Sequence, residues 1–250
     1  MASIINASTT STSGLVYSAD ASGVLQLQSN GVTGVSIQSG GKVVLPSTML
    51  STASAGQFEY DGRVPYFTPL DTQRGVVPGM QLYVLGNAVT GLNATGAQSI
   101  LGVGVTLSSN TVYAFEGVYA LSKTAGTTNH SVAYGFGGTA TLNSISYIRT
   151  WGWSSSGFAT WTSGIGNLCP YFFVQTAATT AGTGESTNTA TAYWTTHLKG
   201  IVSINAGGTF IPQYSLSAAP GGAYTKAAGS YFQIYPIGES GSNISVGTWA

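Results

Sequence analysis

An all-β fold is predicted, most simply a jelly-roll-like sandwich carrying a short extended N-terminal segment. Helix signals are nearly absent: Glu occurs only at Glu59, Glu116, Glu185 and Glu239, and no long run escapes Gly, Thr, Ser or Val, which disfavour helix interiors. Alternating or β-branched runs recur between Gly, Asn and Pro punctuation, as half-buried strands do. Turn signals are sharp at Ser109-Asn110, Gly137-Gly138, residues 206–208 (AGG) and residues 220–222 (PGG). Roughly ten strands at regular spacing read as a sandwich.

The first 46 residues differ from the rest. Three short runs, 23–30 (GVLQLQSN), 31–39 (GVTGVSIQS) and 41–46 (GKVVLP), each open on glycine. Val24, Leu25 and Leu27, then Val32, Val35 and Ile37, then Val43, Val44 and Leu45 supply their apolar positions. Strands this short cannot bury a face alone. They become stable when packed on a main domain as a plain meander, or when stacked and wrapped with partner chains as a stalk or anchor. Residues 47–57 (STMLSTASAGQ) are small and polar and read as a linker.

Residues 58–250 read as one β domain. Strands are expected at 58–60, 81–85, 99–107, 111–121, 131–136, 139–147, 171–177, 195–205, 208–217, 230–237 and 244–249. In 112–119 (VYAFEGVY) Val112, Ala114, Glu116 and Val118 share one face, against Tyr113, Phe115 and Tyr119. Both faces are largely apolar, so this strand is expected at the centre of a sheet, buried on both sides.

Charge is the unusual quantity. Seven Lys plus Arg stand against seven Asp plus Glu, and charged residues are 6% of the chain, where ordinary soluble chains have ~25%. Hydrophobic residues at 43% with zero net charge argue against intrinsic disorder. The scattered basic residues argue against nucleic-acid binding. No unbroken apolar run is long enough for a membrane-spanning helix. Residues 1–13 lack the basic and apolar regions of a secretory signal, so synthesis in a cytoplasm is expected. The lone Cys169 excludes an intrachain disulfide framework, and its apolar surroundings read as a buried inert thiol. A surface so poor in charge is poorly kept apart as a monomer, which points to oligomerisation.

Catalytic signatures are thin. His130 and His197 lie far apart, no Gly-x-Ser-x-Gly elbow is present, and each histidine reads as a surface or interface group. No metal-ligand spacing occurs, and no cofactor is expected. The densest charge is Glu59, Asp61, Arg63, Asp71 and Arg74. Paired carboxylates can serve glycoside cleavage, but a salt-bridge network fixing register at a chain crossing or between subunits is the favoured reading. Trp151, Trp153 and Trp161 fall within eleven residues, with Phe158 among them and Tyr147 and Arg149 just before. Aromatics in an uncharged Gly/Ser-rich segment suit recognition by stacking, with Arg149 as a hydrogen-bonding neighbour. A mini-core under a long loop explains them equally simply.

The segments 1–8 (MASIINAS) and 18–28 (SADASGVLQLQ) resemble the N-terminal segment of fibre-type proteins of tailed bacteriophages, including phages of aquatic bacteria and cyanophages. Segments 96–99 (GAQS), 101–107 (LGVGVTL), 112–117 (VYAFEG), 121–126 (LSKTAG), 200–213 (GIVSINAGGTFIPQ), 217–221 (SAAPG) and 229–232 (GSYF) resemble C-terminal domains of phage virion proteins. The resemblance spans most of the chain, less so residues 151–184. It implies a homotrimeric β-rich component on the virion surface, with no family active site to carry over.

The resulting expectation is a non-enzymatic trimeric fibre or spike-type appendage. Its segment 1–46 would dock into a tail or baseplate protein, with Ile4, Ile5, Leu15, Val24, Leu25 and Leu27 as anchors. The domain 58–250 would meet the host surface, with Tyr147, Arg149, Trp151, Trp153, Phe158 and Trp161 against a glycan. The alternative is a capsid decoration protein, a trimer whose N-terminal strands add to the major capsid protein.

Overall fold

The structure, a computed structural model, describes residues 22, 24–29, 31–47, 50–154, 157, 172–176, 185–187, 189–241 and 243–249. Every regular element among them is a strand, and among them no helix is long and apolar enough to cross a membrane. The chain divides between Met49 and Leu50 into two compact units.

The first unit is an antiparallel meander of β1 (Leu25–Ser29), β2 (Val32–Ile37) and β3 (Val43–Val44). Leu25 stands opposite Ile37, Leu27 opposite Val35, and Ile37 opposite Val43, so one face is aliphatic. The other face carries Gln26, Gln28 and Thr33, where Gln28 Nε2 donates to Gln26 Oε1 (2.9 Å) and Thr33 Oγ1 (3.2 Å). Gly40 and Gly41 take φ of 89° and 77° to reverse the chain into β3, a conformation that glycine adopts without steric penalty. Leu25, Leu27 and Val43 remain 52%, 42% and 67% exposed: within this unit the strands form without burying their aliphatic face.

The second unit opens with a small sheet of β4 (Phe58–Tyr60), β5 (Pro65–Phe67) and β6 (Gly75–Val76). The stretch 51–57 is bonded into it: Gly56 N donates to Thr68 O (2.7 Å) and Ser51 Oγ donates to Glu59 Oε1 (2.8 Å). There follow β7 (Gln81–Val84), β8 (Val89–Thr90), β9 (Gly96–Ser99), β10 (Val105–Leu107), β11 (Thr111–Lys123) and β12 (His130–Gly137). The chain continues through β13 (Thr141–Ser154), β14 (Phe172–Thr176), β15 (Glu185–Thr187), β16 (Ala192–Ala206), β17 (Gly208–Leu216), β18 (Tyr224–Lys226) and β19 (Tyr231–Glu239).

These strands make two antiparallel sheets. The larger runs β14-β13-β16-β11, with β19 and β18 end to end along the far edge of β11. There β7 flanks β19 and β8 flanks β18. The smaller runs β15-β12-β17, with β9 and β10 end to end on the far edge of β17. Alternation along each strand turns one set of side chains inward. Tyr113, Phe115, Tyr119 and Leu121 of β11 meet Val132, Tyr134 and Phe136 of β12 and Phe210, Tyr214 and Leu216 of β17 in one core. Phe136 stacks on Phe210 at 4.4 Å between centroids and receives Phe115 edge-on at 5.2 Å. Such aromatic pairs bind the sheets face to face, as in a β-sandwich.

Three expectations change. The run 99–107 is two strands, because Gly102 turns with φ 76° and its N donates to Ser99 Oγ. Both pieces still lie on β17. Residues 244–249 are not a strand: Gly247 has φ 104°, and Trp249 Nε1 donates back to Val246 O (2.8 Å). The strand 112–119 is central but not buried on both sides, since Ala114, Glu116 and Val118 on its outer face are half-exposed.

Candidate functional site

Two residues of the expected aromatic contact surface, Tyr147 and Arg149, face the interior. On β13, Ile145, Tyr147 and Arg149 point inward, while Ser146, Ile148 and Thr150 point outward. Tyr147 and Arg149 are each 2% exposed and belong to the interior. The Arg149 guanidinium sits 5.6 Å from the Tyr134 ring centroid, a cation–π contact that strengthens away from water. Trp151 is half-buried against the same core. The side chain of Trp153 lies outside the described residues, as do Phe158 and Trp161, and Ile4, Ile5 and Leu15. The alternation was visible in the sequence; which parity faces inward was not.

The charge cluster near residue 60 is paired within the chain. Arg74 donates to Glu59 Oε2 from Nε (2.9 Å) and Nη2 (2.7 Å), and Nη2 also reaches Ser51 O (2.6 Å). Burial pushes the Glu59 carboxyl up, but Ser51 and Arg74 outweigh it and hold it below its ordinary value. Asp61 Oδ1 accepts from the backbone N of Arg63 (2.8 Å) and Val64 (2.7 Å), and its Oδ2 accepts from the Tyr66 hydroxyl (2.9 Å). Arg63 reaches across to Ser109 O (3.1 Å), Asn110 O (2.9 Å) and Glu239 Oε1 (3.0 Å). These bonds tie the small sheet to one end of the two-sheet body. Asp71, exposed at a turn with φ 45°, makes no ion pair among the described residues.

His130 is not a surface group. It is 6% exposed; Nδ1 donates to Thr128 O (2.9 Å), so Nε2 accepts from the Tyr224 hydroxyl (2.7 Å). Burial pushes its pKa below 6.5; the Thr128 bond opposes the shift and Lys123 adds to it.

A second charge group, missed in the sequence, lies on the outer face of the larger sheet. Register aligns Ile201-Ala114-Tyr235, then Lys199-Glu116-Gln233, then His197-Val118-Tyr231 across β16, β11 and β19. Glu116 Oε1 lies 3.1 Å from His197 Nε2 and 3.5 Å from the Tyr231 hydroxyl, and Oε2 lies 3.8 Å from Lys199 Nζ. Burial and then Glu116 raise the Tyr231 pKa. The outward parity of each residue was readable; the pairing of strands eighty residues apart was not.

The last feature is an open flank where the two sheets end. Among the described residues β7 pairs only with β19, and β10 only with β17. Between them lies a cavity of ≈ 330 Å³ lined chiefly by Tyr83, Leu101, Val103, Val105, Phe232 and Ile234. Met80, Leu82, Tyr83, Val84, Leu92 and Val103 are 50%, 53%, 44%, 49%, 68% and 43% exposed. Two edges unpaired among the described residues, beside an apolar strip, are a ready site for another chain.

Among the described residues no group of three His, Cys, Asp or Glu side chains is placed to hold a metal ion. No family model, curated protein or solved structure matches the chain.

Proposed function

We propose that the chain is a structural component of a tailed-bacteriophage virion surface, assembled as a homotrimer and used for attachment to the host. The observation that carries this reading is the open apolar flank along β7 and β10. A chain with 6% charged residues has little repulsion to keep such flanks apart, and joining copies there covers both the apolar strip and the unpaired edges. Synthesis in the host cytoplasm followed by display on the particle fits a fold dense in strand pairing, without disulfides, that must persist outside a cell. The N-terminal meander, with its exposed aliphatic face and short free strands, suits docking onto a tail or baseplate protein.

The strand orders support a jelly-roll reading of the second unit. Along one sheet run β11-β16-β13-β14, and in the other β12 lies beside β15. The chain passes between sheets from β11 to β12 to β13, and again from β15 to β16 to β17, as in a double Greek key.

A second reading is a capsid decoration protein. It is favoured by the brevity of the meander, whose three strands suit addition to a neighbouring sheet better than a long shaft.

Two measurements test the proposal. Sedimentation equilibrium of the purified chain should give three times its 25.5 kDa mass; a monomer at micromolar concentration would sink the assembly. Copy number in purified particles, counted by mass spectrometry against the major capsid protein, should be a few to a few dozen for an attachment role. Hundreds of copies would replace attachment with capsid cementing, and absence from particles would overturn the virion reading.

A further inference from the structure

Every second residue of β11 faces outward, and these are small except at one place: Ala114, Glu116, Val118, Ala120. The flanking strands present larger groups at the same levels, Ile201, Lys199 and His197 on one side and Tyr235, Gln233 and Tyr231 on the other. The result is a trough along β11 with a carboxylate on its floor. Its middle is polar, while Ile148 and Ile201, 47% and 48% exposed, border it on the side of β13 and β16. Protein interfaces have the reverse arrangement, an apolar centre inside a polar rim.

We propose that this trough binds a neutral, hydroxyl-rich saccharide. The charges at its centre balance, Glu116 against Lys199, so a strongly anionic or cationic ligand gains little there. Glu116 accepts hydroxyl protons, Lys199 donates, and Gln233 does both. The Gln233 amide and the Tyr235 hydroxyl have no partner among the described residues. Tyr231 and Tyr235, four residues apart on one face, span about 13 Å of strand, and their half-exposed rings suit the C–H faces of successive sugars. In a chain with so few charges, the meeting of Glu116 from β11 with Lys199 and His197 from β16 marks the place where a polar ligand is held.

The inference rests on the host-attachment reading and refines it. The test is calorimetric titration of the full chain with hexasaccharides of glucose, mannose, galactose and N-acetylglucosamine, with dextran sulfate as the charged comparison. At least one neutral hexasaccharide should bind saturably. Glu116→Gln and Tyr231→Ala should each weaken it roughly tenfold, while Ser215→Ala on the smaller sheet leaves it unchanged and all three variants keep the wild-type circular dichroism. No saturable binding by any of the four at millimolar concentration would overturn the proposal, as would binding indifferent to both trough variants or a preference for dextran sulfate. A lattice-like copy number together with sugar binding would defeat host attachment alone; a tail-like copy number without sugar binding would defeat the trough alone.

Discussion

Close packing at single positions decides how tolerant the interior is. At Gly200 the register places Phe115 on one side and Tyr147 on the other, and a Cβ there would collide with the Ser146 carbonyl oxygen and with Tyr147. Gly200→Ala should therefore lower the unfolding free energy by about 1–3 kcal/mol, read by urea denaturation; an unchanged midpoint would mean that β13 and β16 yield freely. Titration is also a residue-scale matter. The unfolded chain protonates His130 as pH falls through its ordinary 6.5, whereas the buried ring resists. Its contribution is whole above 6.5 and declines below it. The melting temperature should start to fall as the pH drops below 6.5, and His130→Gln should remove that early decline. Glu59, with its lowered pKa, acts further down: stability present above 4.5 is lost as pH drops through the lower folded value. Glu59→Gln should flatten only this second limb. The sequence showed that Tyr147 and Arg149 share a parity, but a local pattern containing an arginine reads as a surface. It does not reveal Tyr134 on β12 waiting to receive the guanidinium.

Strands differ in what their neighbours do for them. β7 is regular in sequence and was expected at 81–85, yet an edge strand and a central one look alike until pairing is known. All four of its residues are exposed, which identifies it as an edge. Leu82→Lys with Val84→Lys should shift the sedimenting species toward monomer and leave the far-ultraviolet spectrum intact, because neither side chain is in the core. Retention of the oligomer in that double variant would move the contact surface elsewhere. The break inside 99–107 was marked by glycines at 102 and 104, but glycine is so frequent here that it punctuates poorly. The short strands β5, β6, β8, β15 and β18 escaped notice because two or three residues carry no periodicity.

At the level of the molecule, the division into a small leading unit and a large body was legible from the glycine-opened runs and the polar stretch after them. The boundary, between Met49 and Leu50, falls early in that stretch, since Ser51 and its successors bond to β4. The body should stand alone: residues 50–250 should melt within about 3 °C of the full chain, a shift worth roughly 1 kcal/mol at this size. A larger loss would show that the meander stabilises the body. Folding of the body requires β11 to find β16, pairing Val112 with Ser203, and contacts so distant in sequence slow the search to the millisecond-to-second range or beyond. The face that pairing creates, with Glu116 beside His197, exists only after the search is complete.

The open flank beside β7 also has a thermal consequence. Its lining contains no ionised group, so an assembly joined there is held by the exclusion of water from hydrocarbon, which weakens on cooling and is nearly indifferent to dilute salt. Copies of the chain joined there would hold together most firmly in warmth and loosen in the cold, at low and moderate salt alike.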